Sequence, residues 1–343
     1  MLSTPKLRAG DRVAVLSPSF AAPAVAPEIH EQALRRLTEL TGLVPVEYPT
    51  TRLLDASPEA RAADVNAAFA DPRIRAILAT IGGDDQILVV PHLDPALALA
   101  DPKPFIGYSD NTHILNWLWS LGIAGFYGGS TAVHLGPGRG VDDVHLRSLR
   151  AALIDGGALE IIDPGESEDV GRRWTDPRAL TENGDRTPTE PWTWAGPARR
   201  VAGRTWGGCL EVVDSLALAD LLPTVAKLEG GILLLETSEE RPSASWVRRW
   251  LRGLGERGVL GAVAGVVMAR PPVSDFEFLP SDAEAAALRA AQRDAVVEVV
   301  AHYNPDAVVC VGVPFGHTRP QWILPYGGDL VLDGATRTIT ADY

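Results

Sequence analysis

From Arg12 to Tyr127 the chain alternates short apolar runs with helix-forming segments, and this alternation most constrains the fold. Arg12 to Leu16 (RVAVL), Val44 to Tyr48, Ile74 to Ile81, Pro104 to Tyr108 and Ile123 to Tyr127 read as short buried strands. Between them, Pro27 to Leu40 reads as a helix with Pro27 and Glu28 in its first turn. Ser57 caps a second helix reaching Phe69, and Asp110 to Leu121 forms a third with Ile114, Leu115, Leu118 and Leu121 on one face. Strands that alternate with helices predict an α/β fold: a mostly parallel, doubly wound sheet covered on both faces. In such sheets the functional site lies at the carboxyl ends of the strands.

A second region repeats the pattern. Gly231 to Glu236 and Gly261 to Ala269 read as strands, with a helix over Ala244 to Leu254 between them. Ser281 to Tyr303 reads as a long helix with Asp282 and Glu284 in its first turn, followed by a strand over Ala307 to Val313. Trp322 to Thr340 reads as a closing β-hairpin region. Between the two regions, Asp163 to Arg199 breaks the pattern; it is rich in Pro, Gly, Asp, Glu and Thr and carries Trp174, Trp192 and Trp194. A loop this long is usually functional or disordered, and the tryptophans argue against plain disorder. The expected layout is an N-terminal domain over 1–158, a linker and Trp-bearing loop over 159–203, and a smaller C-terminal α/β domain over 204–343.

Composition excludes several classes. A formal net charge of -13 without a Lys/Arg cluster argues against nucleic acid and against an anionic membrane surface. No run approaches transmembrane length, and the first residues carry no apolar signal core, so a cytoplasmic protein is expected. Cys209 and Cys310 are the two cysteines; without a CxxC they make neither a zinc site nor a disulfide framework. No metal or cofactor is expected.

Four places could carry chemistry. Ser109 lies between a strand and a helix, where a sharp turn presents a hydroxyl beside helix N-terminal amides. Gly107 is placed to let that turn be tight, although Asn111 stands where the hydrolase elbow prefers a small residue. The alternative use of Ser109 is as a helix N-cap. A serine nucleophile needs a base, usually His. Of seven histidines, His113 lies on the helix after Ser109 and reads as structural, whereas His317 follows a strand in a Gly/Pro-shaped loop. Glu236 ends the apolar run Ile232-Leu-Leu-Leu-Glu, where a carboxylate is poorly solvated without a partner; Glu239 and Glu240 read as solvated loop residues. Finally, Gly82-Gly83 at a strand end could bring backbone N–H groups close to an oxygen. Gly83 N–H with Asp110 N–H would make a two-donor oxyanion hole. Gly-Gly-Asp-Asp is also similar to the Gly-Gly-Asp-Gly turn of NAD and lipid kinases.

Five short pieces in order, Ile81-Gly-Gly-Asp-Asp, Gly107-Tyr-Ser-Asp-Asn-Thr, Trp206-Gly-Gly-Cys-Leu, Leu233-Leu-Leu-Glu and Phe315-Gly-His-Thr with Leu324-Pro-Tyr-Gly, resemble the LD-carboxypeptidase family of serine peptidases, closest to its microcin C immunity branch. The resemblance implies a Ser-Glu-His triad of Ser109, Glu236 and His317, in that chain order, with the site between the domains and often a homodimer. It also implies a small-molecule substrate, either a murein tetrapeptide that loses its terminal D-alanine or an acidic amino acid joined by an amide to a nucleotide-like moiety. The long loop and Trp192-Thr-Trp194 favour the second branch. Trp192, Trp194 and Trp206 are then candidate substrate-binding residues, since base stacking on an aromatic ring contributes on the order of 1–3 kcal/mol. Cys209 departs from the Asn the family often has after the Gly-Gly pair, which leaves any contact by that side chain open. Rival readings are a nucleotide-dependent kinase and a non-catalytic binding protein.

Overall fold

The structure is a computed structural model that describes Met1, Leu2 and residues 4–343. Two sheets organise it. The first has six strands in the order Leu324–Tyr326, Gly125–Tyr127, Phe105–Gly107, Ile74–Ala79, Arg12–Leu16 and Val44–Glu47. Its last five strands run parallel, and Leu324–Tyr326 adds antiparallel at the edge beside Gly125–Tyr127. The apolar runs of the inner strands are buried on both faces, as parallel strands covered by helices must be, whereas the edge strand Val44–Glu47 is exposed or half-buried throughout. Lys103 shows how the sheet is tied to a helix. Its fully buried ammonium donates to the carbonyls of Ala68, Phe69 and Asp71 at 2.8, 2.6 and 2.8 Å, closing the C-terminal end of helix Pro58–Ala70. A cation there answers the partial negative charge of the helix end.

The second sheet is the larger, with eight strands in the order Ala158–Ile161, Thr338–Asp342, Asp329–Asp333, Arg200–Cys209, Ile232–Glu236, Gly265–Ala269, Val308–Val313 and Thr193–Ala195. Its middle is parallel and its flanks antiparallel. Arg200–Cys209 carries the change of style. Arg200 to Arg204 alternates exposed and half-buried and pairs antiparallel with Asp329–Asp333, whereas Thr205 to Cys209 is wholly buried and pairs parallel with Ile232–Glu236.

Several elements differ from the sequence reading. The segment from Trp322 to Thr340 is not one hairpin. Its first strand joins the N-terminal sheet, and only Asp329–Asp333 and Thr338–Asp342 pair with each other. Pro325 fits this position, because Pro cannot donate to a ladder and belongs at an edge. The segment Gly261 to Ala269 begins as the short helix Val259–Ala262, and its strand starts at Gly265. The long helix Asp282–Tyr303 starts as read, with Ser281 and Glu284 forming a reciprocal capping box.

The loop from Asp163 to Arg199 is ordered by pairing. Glu166–Ser167 pairs with Thr187–Pro188, and Glu168 exchanges backbone hydrogen bonds with Arg319 at 2.8 and 2.9 Å. Asp169, buried, accepts from Arg270 and Arg289 at 2.9 Å each and from the amides of Val273 and Ser274. Burial pushes the Asp169 carboxyl up, but the two guanidinium groups and the amides outweigh it and hold it below the usual carboxylate range. Among the described residues, no helix is long and apolar enough to cross a membrane.

Candidate active site

Strand Phe105–Gly107 ends in the first sheet, Tyr108 stays extended, and Ser109 turns the chain with φ = 63°. A 3₁₀ turn over Ser109–Asn111 then feeds helix Thr112–Ser120. A non-glycine residue in the left-handed region stores on the order of 1–3 kcal/mol and persists only where its surroundings over-determine it. Here they do. Ser109 N–H donates to Tyr127 Oη at 3.3 Å, and Thr112 Oγ1 donates to the Ser109 carbonyl at 2.6 Å. Asn111 Nδ2 donates to the carbonyls of Ile81 and Tyr108, and the Asp110 carboxylate accepts from Ser19 Oγ and the Gln86 amide. Burial raises the Asp110 carboxyl despite those donors. This geometry removes the N-cap alternative for Ser109, since a cap residue adopts the extended region. Gly107 serves packing rather than a turn: a Cβ there would lie 2.9 Å from Asn111 Cβ.

The Gly-Gly pair sits beside the serine. A Cβ on Gly82 would lie 2.8 Å from Ser109 Cβ, 2.9 Å from its Oγ and 3.2 Å from the Asp110 nitrogen. Gly83 lies against Ser19 and the Phe20 amide. The loop is held from below by Arg61, which is buried and donates two bonds of 2.7 Å to Asp85. That hydrogen bonding outweighs desolvation and lowers the Asp85 carboxyl. The Asp110 amide is in the first turn of its helical segment, where N–H groups have no acceptor within the helix.

Glu236 ends the fully buried strand Ile232–Glu236 and is itself 0% exposed. It accepts from Tyr127 Oη at 2.6 Å and from His317 Nδ1 at 2.5 Å. Tyr127 therefore joins the Ser109 amide to the acid. His317 is carried by the loop after Val308–Val313, where Gly316 is required: a Cβ there would lie 2.7 Å from Glu236 Oε2. Gln321 clamps this loop to the first sheet, donating to the Gly316 carbonyl and accepting from Gly129 N–H, both at 2.7 Å. The Tyr108 ring meets the imidazole edge-on at 4.9 Å. Glu239, read from sequence as a solvated residue, places Oε2 3.0 Å from His317 Nε2. Burial alone would lower the imidazole pKa, but the two carboxylates outweigh it and lift His317 well above its ordinary value. Desolvation raises the Glu239 carboxyl, yet the His317 hydrogen bond and charge hold it down to about 2.

Ser109, His317, Glu239, Gly82 and Gly83 line one cavity of about 590 Å³, which Trp174, Phe276 and Arg173 also line. The structure does not bring the other tryptophans there. Trp192 and Trp194 stand at an edge strand, with Trp194 opposite Cys310 and Trp192 against Gly312. Trp206 is a core residue, 1% exposed, whose indole N–H donates to Asn116 Oδ1. Cys209 is buried, and its thiol donates to Glu211 at 3.1 Å. Burial and the nearby Glu236 and Glu211 charges push that thiol well up, so it stays protonated. His113 is buried beside Asp110, and burial lowers it to about 4. Sequence reasoning missed Tyr127, Trp174 and Glu239. Trp174 was within the flagged loop, but nothing local separates it from Trp192 and Trp194. Among the described residues, no group of three or more His, Cys, Asp or Glu side chains is arranged to hold a metal ion.

Two family models match the chain, the LD-carboxypeptidase N-terminal domain over residues 13–128 and the LD-carboxypeptidase C-terminal domain over residues 202–332. A Streptomyces coelicolor protein provisionally named a carboxypeptidase is 30% identical across 98% of this chain and 95% of its own. The microcin C7 self-immunity protein MccF of Escherichia coli is 25% identical across 82% of this chain and 77% of its own. A solved structure of MccF with aspartyl sulfamoyl adenosine superposes with a TM-score of 0.84 at 23% identity, covering all of this chain and 99% of that one. The shared architecture is thus the whole two-sheet fold.

Proposed function

This chain belongs to the LD-carboxypeptidase family and is a serine peptidase, and on that premise we propose that Ser109, His317 and Glu236 are its nucleophile, base and acid. The observation that carries the reading is the His317–Glu236 bond opening on the same cavity as the left-handed Ser109 turn. His317 Nε2 takes the Ser109 proton as Oγ attacks an amide carbonyl carbon. Glu236, with Tyr127 as its second donor, fixes the Nδ1–H tautomer and balances the imidazolium. The Gly83 and Asp110 amides receive the oxyanion, and their backbone positions are preset by Arg61 and Ser19, so little reorganises during reaction. Imidazolium then donates to the leaving nitrogen, and water, deprotonated by the same Nε2, hydrolyses the acyl-enzyme.

The substrate reading is an amide joining an acidic amino acid to a nucleotide-like moiety. A cavity of about 590 Å³ has the size typical for a drug-sized ligand. Trp174 offers an aromatic ring to a base, and Arg173, whose guanidinium lies over the Phe276 ring at 4.5 Å, offers a cation to the linking group. The stacking role expected of Trp192 and Trp194 passes to Trp174, and Trp206 is assigned to the core. We also propose that 1–158 supplies the nucleophile, that 204–343 supplies the acid and base, and that the intervening 159–203 segment forms the cavity wall. A cytoplasmic homodimer remains part of this proposal, on the family resemblance. The test is mass spectrometry after incubation with aspartyl sulfamoyl adenosine and, separately, with a murein tetrapeptide. Release of aspartate is the expected result. Release of D-alanine alone would instead establish the murein reading, which the name of the family favours.

A further inference from the structure

His317 meets a carboxylate at each ring nitrogen: Glu236 at 2.5 Å from Nδ1 and Glu239 at 3.0 Å from Nε2. A neutral imidazole has one N–H and one lone pair, so it can donate to only one of them; imidazolium donates to both. An imidazolium has no lone pair with which to take the Ser109 proton. The arrangement in the free protein is therefore a resting one, and one carboxylate must leave Nε2 before His317 can act.

The two carboxylates differ in freedom. Glu236 is wholly buried and held by Tyr127 as well. The Glu239 side chain is 66% exposed and reaches His317 from a loop. That loop is anchored on both sides of it. Ser238 donates N–H and Oγ to Glu211 at 2.9 and 2.8 Å, and Arg241 pairs with Asp275 at 2.7 Å. The side chain can swing while the backbone stays. Apart from Ser109 Oγ, which the mechanism sets against Nε2, the groups packed around the imidazole bring no second carboxylate to take the place of Glu239. Tyr108 presents its ring, His134 lies behind Tyr108, and Arg319, two residues on, is cationic and beside Glu168.

We propose that Glu239 is a reversible cap on His317 Nε2, displaced by a cation on the substrate, so that the protein selects amides whose acyl residue carries a free α-ammonium. This rests on His317 being the base. Glu239 lines the cavity that holds Ser109, and an α-ammonium nitrogen is two bonds from the carbonyl carbon that Ser109 attacks. As Glu239 turns to the ammonium, the imidazolium keeps only Glu236 as counter-charge. It releases the Nε2 proton to water, and the lone pair becomes available to Ser109. No covalent bond other than that N–H breaks. An N-acylated substrate brings no cation and leaves the cap in place.

The test has three arms. Histidine side-chain NMR titration compares the wild type with Glu239→Gln. Removing one carboxylate destabilises the imidazolium, so the His317 midpoint is expected to fall by about one unit or more. In Ser109→Ala, which holds substrate without turnover, aspartyl sulfamoyl adenosine should lower that midpoint and its N-acetyl derivative should not. In kinetics, the wild type should prefer the free amine by roughly ten- to hundredfold, the scale of one charged hydrogen bond. Glu239→Gln should erase the preference and Glu240→Gln should keep it. An unchanged midpoint in Glu239→Gln, or a preference that survives it, overturns the cap. Labelling by a fluorophosphonate separates the two levels. A Ser109 adduct with an unmoved midpoint removes the cap alone, whereas no adduct on Ser109 in any variant removes the triad and the cap with it.

Discussion

Gly82→Ala places one methyl group against the proposed nucleophile. Its Cβ would sit 2.8 Å from Ser109 Cβ and 2.9 Å from Oγ, about half an ångström inside ordinary contact. Ser109 cannot retreat without losing its bonds to Tyr127 and Thr112 or its left-handed backbone. Gly82 cannot retreat easily either, because it is buried and its carbonyl accepts from the Phe20 amide at 3.0 Å. Overpacking of this kind costs about 1–3 kcal/mol. Part of it appears as a displaced Oγ, and a shift of about 1 Å in a reacting group can cost roughly a hundredfold. A displacement of about half that predicts a roughly tenfold fall in kcat. The assay is steady-state turnover of aspartyl sulfamoyl adenosine, with the fluorophosphonate labelling rate and Tm measured on the same samples. Gly253→Ala is the control: it lies exposed in helix Ala244–Glu256 with open space around it, and Ala there should be neutral or stabilising by about 0.5–1 kcal/mol. Wild-type turnover and labelling in Gly82→Ala would refute the placement of Ser109 in the reaction.

Glu236→Gln should lower kcat by about 10⁴, the scale seen when a triad acid loses its charge. It should also change the pH dependence of stability. The folded His317 pKa is raised, so its contribution is full below the unfolded value of 6.5 and is lost as pH rises through the folded value. The Tm deficit of Glu236→Gln should therefore be largest below pH 6.5 and shrink at alkaline pH; a constant deficit would contradict the ion pair. Trp174→Ala should raise KM for the adenylate by roughly ten- to hundredfold, from on the order of 1–3 kcal/mol of stacking, while Trp192→Ala and Trp194→Ala leave KM close to wild type. An equal loss on a peptide amide without a base would reject stacking.

What could be read from the chain was what is local. The strand, sharp turn and helix around Ser109 lie within twenty residues, and each part has its own apolar pattern. Glu236 was visible because an acid directly after four apolar residues needs a partner, and His317 because its Gly/Pro loop follows a strand. The rest depends on pairings between distant segments. Arg200–Cys209 escaped notice because half of it alternates and half is buried, the result of pairing with an antiparallel strand and then with a parallel one. Trp192 and Trp194 look like a binding motif in sequence, but pairing with Val308–Val313 puts them at a sheet edge. Glu239 gave no signal at all: three residues past Glu236, only the course of its loop returns its carboxylate to His317. The Asp163 to Arg199 loop stood out by its tryptophans, but its path could not be read, because its order comes from Arg270, Arg289 and Arg319, all far along the chain.

The central claim is that Ser109 forms the acyl-enzyme. Its most direct test is intact-mass spectrometry with peptide mapping after fluorophosphonate treatment, paired with turnover of aspartyl sulfamoyl adenosine by wild type and Ser109→Ala. The account predicts one adduct per chain, on the peptide containing Ser109, formed faster in Glu239→Gln than in the wild type because the reagent brings no cation to displace Glu239, with neither adduct nor turnover in Ser109→Ala. An adduct on a different serine, or turnover that persists in Ser109→Ala, would contradict it.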